Sequence, residues 1–368
     1  MTNNLLICIN KVGGLYNFRR EVVKAIVDAG YKVFISVPDD DPRAEFFQKM
    51  GCVVVKTPFN RRGMNPLGDL KLLVAYRRLI KKIKPFAVLT YTIKPNVYGG
   101  IVSRLFNIPQ IANVTGLGDA VENGGWLHKL SVFLYRLGIK KAKCVFFQNN
   151  SNREQFIRLG VVSKDVSLLP GSGVNIEHHI FQSYPNDEGI VRFLFIGRML
   201  KDKGIEEYLK AAKCIKDKYP NTVFQVLGNV EGAYQSVLDK LTEQGIVEYL
   251  GVTSDVRPYL SKVECTILPS YHEGMSNVNL ESAANGRPVI TTNVPGCRET
   301  VDDGVTGFLV EPRNVDDLIR KVEEFINLPY SKKKNMGLEA RRKVEKEFDR
   351  RIVVNAYLKE INSLKNHV

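Results

Sequence analysis

No apolar run in this 368-residue chain approaches the ~20 residues needed to cross a bilayer. Leu5 to Ile9 is too short for a secretory h-region and runs directly into Lys11, so no signal peptide is expected and any membrane contact would come from the surface. The six cysteines (Cys8, Cys52, Cys144, Cys214, Cys265, Cys297) stand singly with no CxxC pair, several in apolar runs. Reduced core thiols in a cytoplasmic protein are the expectation, rather than a disulfide framework or a zinc site. His128, His178, His179, His272 and His367 lack metal-ligand spacing. Asp39-Asp40-Asp41 contains Asp-x-Asp, but between the strand-like Val33–Val37 and Pro42 it reads as a solvated turn. No metal and no cofactor are expected. The GxGxxG dinucleotide fingerprint is also missing after the first strand.

Acidic residues are scarce in one half only. The formal net charge is +14, and residues 1–185 carry 26 Lys/Arg against 12 Asp/Glu, whereas the remainder is balanced at 27 of each. Such an excess points to an anionic partner of the first half: nucleic acid, a membrane surface or another polyanion.

Apolar, β-rich runs alternate with helix-like stretches throughout. In the first half the runs are 5–9, 32–37, 52–56, 87–91, 111–114 and 144–148, with amphipathic segments at 17–29, 69–84 and 126–137. The second half repeats the plan with strands at 191–196, 222–227, 263–269 and 288–292, and helices at 205–218, 277–284 and 315–327. Short continuous apolar strands between helices predict parallel sheets covered on both faces. Breaker clusters at Pro170-Gly171-Ser172-Gly173 and Tyr184-Pro185-Asn186-Asp187 mark a linker near 171–190. The fold class is therefore α/β, with Rossmann-like doubly wound domains over 1–180 and 181–350 sharing a cleft, and a terminal helix in 351–368 that can pack back on the first domain.

Three segments carry the chemistry. Strand one ends in Lys11-Val12-Gly13-Gly14, where glycines permit close backbone approach to an anion, although a Gly-Gly turn is as readily structural. At the second-domain opening, Gly197 ends a strand, Arg198 and Lys203 bracket a loop closed by Gly204, and a helix follows. Two cations and a helix amino terminus suit a diphosphate; a solvated basic loop is the plainer alternative. The third runs from Pro269 to Glu281, with Gly274 allowing a tight loop and Ser276 or Asn277 as helix cap. Glu273 and Glu281 would lie about 10 Å apart along this element, enough to reach both polyol ends of a sugar nucleotide.

The Gly-Arg-x4-Lys-Gly loop (Gly197 to Gly204) and the Glu-x7-Glu element (Glu273 to Glu281), following a Gly-Gly first turn, resemble family 4 retaining glycosyltransferases of the GT-B fold. Tyr91-Thr92-Ile93-Lys94-Pro95-Asn96, Thr115-Gly116-Leu117-Gly118 and Glu273-Gly274-Met275-Ser276-Asn277-Val278 are similar to bacterial capsule, O-antigen and protein-glycosylation transferases, including the N-acetylgalactosaminyltransferase-like group that extends sugars on undecaprenyl diphosphate. The resemblance implies that Arg198 and Lys203 bind the donor diphosphate and Glu273 contacts the donor sugar. Met275, Ser276 and Asn277 would present backbone to the β-phosphate, and Glu281 would bind the ribose. Gly13, Gly14 and Gly197 would lie beside the donor, Val252 near its base, and Lys94, Thr115 or His272 near the acceptor or donor sugar. Thr115 stands where many members have a donor-contacting histidine; a smaller group there suits a 6-deoxy or N-acetylated sugar.

The implied partners are a UDP-sugar, a polyprenyl-diphosphate-linked acceptor and the inner face of an anionic membrane, with no nucleic acid. Residues 69–84, whose apolar and basic side chains fall on opposite arcs, read by themselves as a solvated face over a buried stripe or as a membrane-surface helix; with Trp126 and Lys140, Lys141 and Lys143 nearby, and with the implied acceptor, the surface reading gains. Arg61-Arg62 adds to the same charge. An epimerase of the same architecture would leave the basic half without a role, and a nucleic-acid binder would leave Glu-x7-Glu idle.

Overall fold

The computed structural model describes residues 3–60, 65–115, 125–163, 166–232 and 234–365. Arg61-Arg62, Gly116-Leu117-Gly118 and His367, singled out above, lie outside them. The chain divides into two compact units, Met1–Ser172 with Arg351–Val368, and Gly173–Arg350.

The first unit runs β1 (Asn4–Cys8), α1 (Val12–Asp28), β2 (Lys32–Val37), α2 (Ala44–Lys49), β3 (Val53–Lys56), α3 (Pro66–Ile83), β4 (Ala87–Tyr91), a π-turn (Pro95–Gly99), α4 (Gly100–Leu105), β5 (Gln110–Val114), α5 (Gly125–Ile139), β6 (Cys144–Phe147), α6 (Asn150–Arg158) and β7 (Ser167–Leu168). Its parallel sheet has the order β3-β2-β1-β4-β5-β6-β7. The strands alternate Leu5, Ile7 and Leu89 into one core layer with Leu6, Val88 and Ala112 into the other, which is why they read as unbroken apolar runs.

The second unit runs β8 (Val191–Ile196), α7 (Ile205–Lys218), β9 (Thr222–Leu227), α8 (Tyr234–Glu243), β10 (Glu248–Tyr249), α9 (Arg257–Leu260), β11 (Cys265–Leu268), α10 (Asn277–Ala284), β12 (Val289–Thr292), β13 (Gly307–Val310), α11 (Val315–Asn327) and α12 (Tyr330–Glu347). Its parallel sheet has the order β10-β9-β8-β11-β12-β13. Ile205, Tyr208, Leu209, Ala212 and Ile215 fill its core at helical spacing. The last helix, α13 (Arg350–Lys365), places Val353, Tyr357, Ile361 and Leu364 in the core of the first unit.

Two expectations need correction. Helix α1 begins at Val12, well before residue 17, so Gly13 and Gly14 sit in its first turn and not in a free loop. The reason is tertiary: Val12 and Leu15 are fully buried, and the Arg43 guanidinium, held bidentate by Asp41 at 2.8 and 2.6 Å, lies against Gly13 where a side chain would stand.

Residues 174–190 are not a free linker either. Val174 bridges to Asp349, Arg287 donates to Gln182 O and Ser183 O, Arg341 donates to His179 O at 2.6 Å, and the Tyr184 hydroxyl reaches Glu264 O. With its carbonyls taken up by the buried Arg287 and the half-buried Arg341, the segment belongs to the second unit, and the division falls at Ser172–Gly173, ahead of residue 180. His179 is buried there against Asn285, and burial pushes its pKa down to about 3.

Candidate active site

The second unit gathers its candidate residues at the carboxyl edge of its sheet. Gly197 N bonds Leu227 O at 3.0 Å at the end of β8, and the neighbouring strand ends in Gly228 at φ +144, whose missing Cβ leaves room for Gly197 O. The backbones of two strand ends thus pack in direct contact, which a side chain on Gly228 would prevent. Gly228 N bonds Gly251 O at 2.8 Å, bringing up the loop that carries the exposed Val252.

After Gly197 the chain makes a single 3-10 turn, Lys201–Lys203, and reverses at Gly204 with φ +72. A Cβ on Gly204 would collide with Pro269 O, so glycine is required for this loop to lie on the 269–276 loop. Tyr271 N and Ser270 Oγ both donate to Asp202 O, at 2.8 and 3.1 Å. The outcome is an ion pair between Lys203 Nζ and Glu273 Oε1 at 2.6 Å, both side chains largely buried. Arg198 is also paired, with Glu231 at 3.3 Å, in an exposed contact.

Ser276 caps α10, its Oγ accepting from Asn279 N at 3.3 Å. Its own amide donates to Gly296 O at 2.7 Å and is therefore spent within the protein, against the expectation that it faces a phosphate. Met275 is buried among Val174, Leu280 and Ala340. Asn277 opens α10 and His272 is exposed on the loop before Glu273. Further along the helix Glu281 is partly buried, and desolvation raises its carboxyl to about 7; Arg350 pulls it down and Asp255 adds to the rise.

Three residues missed in the sequence shape this site. Glu231 sits two residues after a strand-ending Gly-Asn and pairs with Arg198. Glu206 and Glu207, in the first turn of α7, take the hydroxyls of Tyr234 at 2.9 Å and Tyr271 at 2.6 Å, and Arg313 covers the Tyr271 ring at 4.7 Å. The two loops carrying Glu231 and Glu273 are therefore gripped by adjacent carboxylates of one helix. Acidic residues in a first turn are a readable signal, since they complement the helix dipole, but which tyrosines they hold is not.

The remaining candidates lie in the first unit. Gly14 faces open space, Thr115 follows β5 half-buried, and Lys94 Nζ lies 2.8 Å from Asp69 Oδ1. In Asp39-Asp40-Asp41, Asp41 is held by Arg43 and Asp40 by Lys56.

Residues 13–171 match the family described as glycosyl transferase 4-like domain, and residues 177–343 match glycosyl transferases group 1. The chain belongs to this glycosyltransferase family. It is 28% identical to the N,N'-diacetylbacillosaminyl-diphospho-undecaprenol α-1,3-N-acetylgalactosaminyltransferase of Campylobacter jejuni over 94% of each chain. It is also 28% identical to the Escherichia coli UDP-Gal:α-D-GlcNAc-diphosphoundecaprenol α-1,3-galactosyltransferase, over 76% of this chain and 74% of that one. Among solved structures, a glycosyltransferase from Rickettsia africae superposes with TM-score 0.80 over all of both chains at 18% identity. Anabaena HepE, solved with UDP and glucose, gives 0.77 over 99% of this chain and 100% of that one at 19% identity. These likenesses place the glycosyltransferase in the GT-B fold class.

Proposed function

We propose that this glycosyltransferase moves an N-acetylhexosamine of the GalNAc or FucNAc type from a UDP-sugar to an undecaprenyl-diphosphate-linked saccharide, with retention at the anomeric carbon. The observation that carries the proposal is the 2.6 Å Lys203–Glu273 pair, which joins a phosphate-binding cation to a hydroxyl-binding carboxylate from loops 70 residues apart. The donor diphosphate exchanges with Glu273 for Lys203 and with Glu231 for Arg198, releasing Glu273 to accept hydrogen bonds from the sugar. As the C1–O bond to the β-phosphate breaks, both cations stabilise the charge on the departing UDP. The acceptor oxygen bonds to C1 on the same face, and its proton passes to a diphosphate oxygen. These two cations supply what a divalent ion would otherwise contribute, so no metal is required. Glu281 receives the ribose hydroxyls. The two relatives above are named for diphosphoundecaprenol-linked sugars, which supports the acceptor class.

The first unit attaches to the cytoplasmic face of an anionic membrane. Lys71, Arg77, Arg78, Lys81, Lys82 and Lys84 of α3 and its end are all exposed, while Leu72, Tyr76, Ile80 and Ile83 are buried against the sheet. Helix α5 leaves Trp126 70% exposed and Phe133 exposed beside it. No helix among the described residues is long and apolar enough to cross a membrane.

The test is acceptor-dependent release of UDP with a lipid-linked saccharide, followed by NMR of the new anomeric linkage. Release without acceptor, or an inverted product, overturns the reading. Turnover of UDP-FucNAc against UDP-GalNAc reads the role of Thr115, and a strong preference for the 6-hydroxylated sugar rejects the 6-deoxy donor.

A further inference from the structure

The amino edge of the first unit's sheet, at the other end of its strands from Lys94 and Thr115, holds a cavity apart from every donor and acceptor candidate. Its volume is about 340 Å³, at the lower end of the range for small-molecule sites, and two helix-to-strand connections shape it. One leaves α4 at Leu105 and turns through Asn107, whose φ of +53 asparagine accommodates, into Gln110 at the start of β5. The other leaves α5 at Ile139 and passes Lys141 and Lys143 on the way to β6. Lys143 N donates to Gln110 O at 2.9 Å and ties the two together.

The inner wall is fixed. Gly100 and Gly138 bring α4 and α5 into backbone contact, since a Cβ on Gly100 would stand 2.1 Å from Gly138 O. Gln110 is buried beside them, its Nε2 donating to Thr90 Oγ1 at 2.9 Å and Asn96 O at 3.0 Å. The fully buried Asn96 side chain in turn joins Thr90 Oγ1 and Asn113 O. The rim is cationic: Arg104, Lys141 and Lys143 are exposed there, no lining residue is acidic, and no carboxylate among the described residues pairs with the three.

Part of this charge answers the fold. Helix α4, which continues the π-turn, and α5 both end at the cavity, each with about half a negative charge, so together they offset about one of the three cations. A charge of about two is left over. The cavity at the amino edge of the second unit's sheet, about 350 Å³, is different: it sets Lys218 and Lys333 beside Asp187 and Glu264 and is balanced by itself. An uncompensated double charge in a concave site fits a compact dianion. A guanidinium fork and two ammonium groups suit the oxygens of a phosphomonoester, which carries nearly two charges above its second pKa of about 6. A phosphodiester brings only one.

We propose that Arg104, Lys141 and Lys143 form a phosphomonoester site at the amino edge of the first unit, open to the phosphate of a soluble ester or of a lipid headgroup. The site stands independently of the transfer reaction proposed above.

The test is calorimetric titration of the full chain at pH 8 with glycerol phosphate, a dianion there, and with dimethyl phosphate, a monoanion. Glycerol phosphate should bind at least about tenfold more tightly. The exposed double variant Lys141→Gln/Lys143→Gln should weaken it about tenfold or more while UDP affinity and Tm hold, and Arg104→Gln should act in the same direction. Neutral vesicles doped with phosphatidic acid distinguish the source. Vesicle binding that glycerol phosphate competes away, and that the double variant loses, marks a lipid headgroup; vesicle binding that neither affects marks a soluble ester.

Equal affinity for the two phosphates overturns the proposal. So does a double variant that keeps wild-type affinity for glycerol phosphate, which would place the ester at the donor cations of the second unit. No sugar moves in these assays, so failure of the transfer reaction leaves their outcome intact, and failure of binding leaves the transfer reading standing.

Discussion

Both units use one strand order, β3-β2-β1-β4-β5-β6 in the first and β10-β9-β8-β11-β12-β13 in the second, yet they place their polar groups differently. The second unit carries 24 Lys/Arg against 27 Asp/Glu and neutralises its site cations with carboxylates, Lys203 by Glu273 and Arg198 by Glu231. The first carries 29 Lys/Arg against 12 Asp/Glu, leaves six of these cations exposed along α3 and its end, and spends internal polar groups on a buried network around Asn96. On the function proposed above, one scaffold meets two demands. Exchanging one anion for another needs cations already paired, whereas holding an anionic surface needs cations left in water.

The sharpest way to break this contrast is at the exposed basic face. Replacing Arg77, Arg78, Lys81 and Lys82 with glutamine should reduce binding to anionic vesicles on the order of a thousandfold at low salt, at about 1 kcal/mol per charge. Sedimentation with vesicles checks this, and equal wild-type binding to neutral and anionic vesicles would dissolve the contrast.

Next in size, Lys203→Ala should lower kcat by ~100-fold or more, because it removes charge stabilisation of the leaving group. Circular dichroism should remain unchanged, and Glu273→Gln should behave similarly in steady-state kinetics.

A pH effect follows from Glu281. Its carboxyl is raised to about 7 in the folded protein, so if it accepts the ribose hydroxyls as proposed, donor affinity should fall as pH drops below that value, by up to about tenfold per unit. For stability the sign is opposite. The raised pKa means that ionisation opposes folding, a cost absent below the ordinary carboxyl value, growing up to about 7 and full above it. Glu281→Gln should therefore raise Tm at pH 8 more than at pH 4, and flatten the pH dependence of UDP binding.

The smallest effect tests the grip of α7 on its loops. Tyr271→Phe removes the 2.6 Å bond to Glu207 and should cost about fivefold in kcat, near 1 kcal/mol, with little change in global stability. A variant with unchanged kcat would show that Arg313 and the Asp202 carbonyl position Glu273 unaided.

Much of the fold was legible because it is written in local periodicity. The strands at 32–37, 87–91, 191–196 and 222–227 and the helices at 205–218, 277–284 and 315–327 coincide with the expected bounds. The short strands Ser167–Leu168, Glu248–Tyr249 and Gly307–Val310 were not, since two to four residues carry too little pattern to distinguish a strand from a loop. The breaker clusters near 171–190 mark irregular backbone that contains the division between the units, but nothing local shows that Arg287 and Arg341 claim the carbonyls of its later part.

The sequence by itself determined the two-sheet plan, the basic first half, the loop chemistry of Gly197 to Gly204 and the Glu-x7-Glu helix, all matters of composition and short-range spacing. Only the tertiary structure decided which carboxylate each cation meets. Lys203 finds Glu273 because Gly204 lets two loops touch, and Lys94 finds Asp69 because α3 packs against the π-turn after β4. Pairings across 70 and 25 residues depend on how elements pack, and packing is set by the whole core.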